Sequence, residues 1–71
     1  MGTGVVKFFN EDRGFGFIVP DDGSADVFAH ASEIIGGITL RAHERVQFDI
    51  VKVLDKGKER VRAINVRSLD S

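Results

Sequence analysis

The sequence predicts an all-β fold, a small closed barrel or a sandwich, on three observations. Short runs rich in Val, Ile and Phe recur along the 71 residues, turn-forming clusters separate them, and no segment reads as a convincing helix. The runs cover roughly 4–10, 14–20, 25–30, 45–54 and 59–67. Between them lie NEDR at Asn10 to Arg13, PDDGS at Pro20 to Ser24, Gly36-Gly37, and DKGK at Asp55 to Lys58.

The first run, VVKFFN, carries adjacent rings at Phe8 and Phe9, and parity alone does not settle which of them faces out. The second, GFGFIVP, is clearer. Phe15 and Phe17 share one side, Gly14, Gly16 and Ile18 the other, and Pro20 ends the strand where a missing N–H does least harm. In the third, Val27 and Ala29 lie opposite Phe28 and His30. The stretch from Ser32 to Val46 is the best helix candidate, but Gly36-Gly37 breaks it and leaves room for one short turn at Ser32 to Ile35. That excludes folds whose parallel strands need crossover helices. The fourth run changes parity, from Val46, Phe48 and Ile50 to Val51 and Val53, and the fifth does so between Val61-x-Ala63 and Ile64-x-Val66. Such mid-strand changes read as bulges or strong coiling and favour the closed barrel.

The length gives one small domain, residues 1–71, with a modest core and no room for a cleft between lobes. Without cysteine there is no disulfide framework and no thiolate metal site. No apolar run is long enough to span a bilayer and MGTGVVKFF is not a signal peptide, so the expectation is a cytoplasmic protein with no membrane partner. The net charge of −1 is unevenly spread: residues 1–30 sum to −3 and residues 31–71 to +2. A polyanionic partner would therefore need more than phosphate neutralisation for its affinity.

Two readings of the rings compete. They form the core, or they face solvent and bind something. Ile18, Val27 and Ala29 would be stranded in water if Phe15, Phe17 and Phe28 pointed inward. With Ile18 and Val27 inside, joined by Val6, Val46, Phe48, Ile50, Ile64 and Val66, the core is complete without them. The surplus rings then mark a binding surface. Gly14 and Gly16 weaken a strand by about 0.5–1 kcal/mol each relative to Ala, so they serve coiling or a close backbone approach. Rings on such a strand, beside Lys7, Arg13 and His30, suit the stacking of unpaired bases.

The stretches VKFFN at 6–10, RGFGFI at 13–18 and DVFAH at 26–30 closely resemble the bacterial cold-shock proteins, in which they match the first strand, RNP1 and RNP2. The resemblance runs from about Gly2 to Leu69, with Gly37-Ile38-Thr39-Leu40, Val46-Gln47-Phe48 and Ala63-Ile64-Asn65-Val66 in family order. It implies a five-stranded antiparallel OB-type Greek-key barrel that binds single-stranded RNA and DNA. It also implies an RNA chaperone that can influence transcription termination and translation in the cold or stress response. RRM domains carry similar motifs, but with RNP2 before RNP1 and with two helices.

By this resemblance the nucleic-acid-binding residues are Lys7, Phe8, Asn10, Arg13, Phe15, Phe17, Asp26, Phe28 and His30. The Phe residues and His30 match stacking positions, and Lys7 and Arg13 the basic ones. His30 can stack when neutral and adds charge when protonated. Asn10 and Asp26 can bond base edges or hold turns, and the turn is the favoured role for Asn10. Phe8 stands where the family usually has Trp, and Ala31 and Ile38 where it often has further aromatics, so weaker binding or a shorter site is expected.

Catalysis is not expected: there is no Ser/His/Asp constellation, phosphate loop or GxGxxG, and a domain this small lacks a deep pocket. No cofactor is expected either. Asp21, Asp22 and Asp26 lack calcium-loop spacing and read as a solvated turn, and His43 as an exposed loop residue. Nothing demands a dimer, so a monomer is expected. The alternatives are an OB-barrel adaptor whose aromatic patch binds a protein, and a ribosome-associated OB protein such as translation initiation factor 1.

Overall fold

The computed structural model describes residues 2–36 and 39–69. Five strands, β1 (Gly2–Asn10), β2 (Phe15–Pro20), β3 (Val27–His30), β4 (Arg45–Asp55) and β5 (Lys58–Ser68), close into a barrel in the order β1-β2-β3-β5-β4. The only helical turn among the described residues is a 3-10 turn at Ala31–Glu33, where the sequence allowed one. Gly37 and Ile38 lie outside the described residues, and with them the expectation placed on Ile38.

The ladders β1·β2, β1·β4, β2·β3 and β4·β5 are antiparallel. The closing ladder departs from the fully antiparallel expectation: β3 meets β5 in parallel through Phe28↔Arg62 and Ala29↔Ala63. The long 31–44 connection separates β4 from β3 in the chain, and β5, not β4, lies beside β3 in the barrel. Ile34 is buried on the way and bridges Val66.

A bulge in β1 and another in β5 shift parity, the second matching the change read between Ala63 and Ile64, while β4 pairs in continuous register through Ile50 and Val51. In β1 the register passes from Val6↔Ile18 to Phe8↔Phe17, which makes Lys7 an extra residue. Val6 stays buried, Lys7 and Phe8 both face solvent, and Phe9 turns back to pack on the core. That resolves the ambiguity between the two rings. The second bulge lies where Gln47↔Arg67 gives way to Asp49↔Ile64. Asn65 takes the left-handed backbone there, at φ 52°, and its amide donates to Asp49.

Val6, Ile18, Val27, Ala29, Ile34, Leu40, Val46, Phe48, Ala63 and Val66 form the core. Ile50 corrects the sequence reading: it is 46% exposed. Ile50 pairs with Ala63 of β5, but the β1·β4 ladder of the described residues reaches only to Gly2↔Phe48, so none of them pairs with Ile50 on its other side. Ile64, beside the second bulge, is only half-buried. From there β4 and β5 continue as a two-stranded ribbon out to Asp55↔Lys58.

Candidate nucleic-acid interface

The rings gather because three ladders align. Phe8 lies opposite Phe17, Phe17 opposite Phe28, and Phe15 opposite His30. Their partners on the reverse side, Gly16 with Ala29 and Ile18 with Val27, are buried. Gly16 is bare for a reason: a Cβ there would strike the Phe8 carbonyl oxygen and come within 2.7 Å of the Phe9 ring. The close backbone approach thus lets Phe9 enter the core while Phe8 stays outside.

Phe15 and Phe28 are stacked, with centroids 5.8 Å apart and planes 21° from parallel. Phe17 meets Phe28 edge-on at 5.8 Å, and meets Phe8 at 5.5 Å with the planes tilted by 48°. Phe15, Phe17 and Phe28 are half-buried and Phe8 is exposed, so each ring is supported by a neighbour yet keeps contact with solvent. His30 lies beside Phe15 and is exposed. Its Nδ1 accepts the Ser32 backbone N–H at 3.1 Å and lies 2.9 Å from the Ser32 hydroxyl, which fixes the orientation of the ring.

The polar residues have definite partners. Asn10 Oδ1 accepts the N–H groups of Asp12 and Arg13, and its carbonyl accepts that of Gly14, so its side chain holds the β1–β2 turn. Gly14 (φ 74°) completes that turn and its carbonyl accepts Ala31 N–H. Lys7 Nζ pairs with Asp26 Oδ2 at 3.0 Å, and Asp26 borders a groove with Phe17 and Phe28. Arg13 is exposed at the turn. The three Asp considered as a cluster work separately. Asp21 accepts from Thr3 and Arg45, and Asp22 from Ser24. The Thr3 hydroxyl holds the Asp21 carboxyl below its usual range, and the Ser24 hydroxyl does the same for Asp22. His43 is exposed.

The model of the 'Cold-shock' DNA-binding domain family matches residues 2–69. The chain belongs to this family. Among relatives, a cold shock protein of Arthrobacter globiformis is 58% identical over 52 residues, 70% of this chain and 78% of its own. Cold shock protein CspA of Rhizobium meliloti is 48% identical over 60 residues, 82% of this chain and 87% of its own. Cold shock-like protein CspG of Escherichia coli K12 is 46% identical over 69 residues, 94% and 93%. The solved structure of drosophila Unr CSD456 superposes with a TM-score of 0.74 at 23% identity over 96% of this chain, which spans 26% of that one. The likeness shows the shared OB-type fold. This is a nucleic-acid-binding cold-shock domain, and no helix among its described residues is long and apolar enough to cross a membrane.

Sequence reasoning missed part of this surface. Val53, Arg60 and Arg62 of the ribbon line the groove beside Phe17 and Phe28. Their alternation, Val51-x-Val53 and Arg60-x-Arg62, was visible, but their place beside Phe28 follows from the parallel β3·β5 closure.

Proposed function

We propose that this chain is a single-module, monomeric binder of single-stranded RNA and DNA that captures unpaired bases on Phe8, Phe15, Phe17, Phe28 and His30. The observation that carries the reading is the contiguous ring cluster on the outer side of strands whose inner side is the core. Every base has a π face, so such a surface is sequence-tolerant, with about 1–3 kcal/mol per stacked base. Lys7 and Arg13 supply charge at its border, Asp26 holds Lys7, and Asn10 holds the turn that presents Phe15. Capture of open strands shifts structured RNA toward the melted state by mass action and needs no energy source. That is RNA chaperone action, and we infer with it an influence on transcription termination and translation.

The test is fluorescence anisotropy of a labelled oligothymidine titrated with the protein, because the chain has no tryptophan to report binding. Saturable binding to the single strand, absent for the matching duplex, is expected. No binding at tens of micromolar protein, on the order of a weak single-module affinity, would refute the reading and favour a protein partner for the rings.

A further inference from the structure

The rings sit in the acidic part of the chain, yet a strand stacked on them must lay its phosphates somewhere. Residues 51–62 carry Lys52, Lys56, Lys58, Arg60 and Arg62 against Asp55 and Glu59, a balance of +3. Topology brings this segment to the rings. Ala29 and Ala63 are both fully buried and adjacent in the parallel ladder, so the preceding pair, Phe28 and Arg62, both point outward. Val51↔Arg62 and Val53↔Arg60 then share that outward side of the ribbon. The result is a groove of about 490 Å³, with Phe17, Phe28 and Asp26 from the barrel and Val53, Asp55, Arg60, Val61 and Arg62 from the ribbon, where Asp55 is already paired with Arg60.

The ribbon is built to hold its position. Lys56 and Gly57 both have positive φ, 52° and 79°, the two-residue turn whose twist matches paired strands. Pairing therefore persists out to Asp55↔Lys58, and the arginines stand on a ladder instead of a loose loop. Their present partners are loose: Arg60 to Asp55 at 3.5 Å and Arg62 to Glu33 at 3.6 Å, with both arginine side chains well exposed. Exposed ion pairs of this kind contribute little, so exchange for a phosphate oxygen is easy.

We propose that the outward side of the β4–β5 ribbon is the phosphate-binding wall of the site, with Arg60 and Arg62 holding the nucleic-acid backbone while the Phe rings hold the bases. The proposal rests on the single-strand-binding reading above. Stacking and phosphate contact then divide between two regions of the chain. They also divide in salt dependence, because each neutralised phosphate adds about 0.7 to the slope of log affinity against log salt for a single strand.

The experiment is the oligothymidine titration from about 50 to 200 mM salt. It compares the unmodified protein with Arg60→Gln/Arg62→Gln, with Phe28→Ala, and with Arg67→Gln, which removes one positive charge beside a different cavity that Gln47 and Asp49 line. Circular dichroism checks each fold. Across that fourfold rise in salt the unmodified protein is expected to lose roughly sevenfold more affinity than the double variant, from two lost contacts. Phe28→Ala should bind more weakly at every salt with an unchanged slope, and Arg67→Gln should keep the slope. Arg60→Lys/Arg62→Lys should restore it. Glu33→Gln, which releases Arg62 without changing the number of phosphate contacts, should strengthen binding with the slope kept, and this arm stands if the double variant fails to fold. An unmodified slope in the folded double variant, or the same loss in Arg67→Gln, overturns the wall while leaving stacking intact. Absence of any binding by the unmodified protein overturns both.

Discussion

The two sides of the β1–β2–β3 sheet are both apolar, yet they have opposite fates. Val6, Ile18, Val27 and Ala29 are at most 2% exposed, while Phe8, Phe15, Phe17 and Phe28 on the reverse side stay open to solvent. Hydrophobicity does not separate them, since Phe is as apolar as Val or Ile. Parity and volume do. The interior of so small a barrel closes around β-branched residues, alanine, Leu40 and one fully buried ring, Phe48, and there is no space left for four more. An apolar side that cannot be buried by its own fold is available for a partner.

The largest expected effect tests that division directly. Ile18→Ala should lower unfolding free energy by about 2–5 kcal/mol in urea melts, a large share of a typical small-domain total of about 5–15 kcal/mol. Phe17→Ala, one position away, should move the midpoint far less, because its ring packs among the outer rings Phe8, Phe15 and Phe28 and not in the core. Equal losses for the two variants would mean that the rings are structural after all. Gly16→Ala comes next. Its methyl would meet the Phe8 carbonyl oxygen and lie 2.8 Å from Phe9 Cα, so β1 and β2 must separate, at about 1–3 kcal/mol by the usual cost of overpacking. A melt unchanged by this substitution would show that the two strands have slack.

On the ring side the loss should appear in binding instead. Phe28→Ala removes the ring that contacts both Phe15 and Phe17, and should weaken oligothymidine binding by about 1–3 kcal/mol with a near-normal urea midpoint. Retained affinity in a folded Phe28→Ala would sever the link between ring cluster and function.

Much of this was legible in the sequence because strand parity is local. The alternation in RGFGFI and DVFAH assigned Phe15, Phe17 and Phe28 to one side and Ile18, Val27 and Ala29 to the other without reference to any other strand. What was not legible depends on pairing. Whether Phe8 or Phe9 faces out is decided by the extra residue at Lys7, which exists only relative to β2. Ile50 looked like a core residue by parity with Phe48, but among the described residues β1 pairs with β4 only as far as Phe48, and Ile50 is 46% exposed. The ribbon's arginines reach the rings through a parallel closure that no local pattern encodes.

The smallest effect separates the barrel's acid sensitivity from the ring side altogether. Asp21 joins three strands' ends: it follows β2, accepts the Thr3 hydroxyl of β1 at 2.7 Å and accepts Arg45 of β4 at 3.0 Å. The Thr3 bond, more than Arg45, depresses its carboxyl below the ordinary value of 3.8. A carboxyl depressed in the folded state stabilises the fold above its unfolded pKa, and that contribution is lost as pH falls through the folded value. Stability should therefore hold down to the ordinary carboxylate range and decline below it, with Asp22 contributing in the same direction through Ser24. Thr3→Val removes the leading donor at little change in shape, so thermal midpoints recorded from about pH 6 downward should fall less steeply in the variant than in the unmodified protein. Parallel profiles would remove Asp21 from the account. A variant that also lost oligothymidine affinity at neutral pH, once corrected for folded fraction, would show that the two sides of the sheet are coupled more tightly than their separate packing implies.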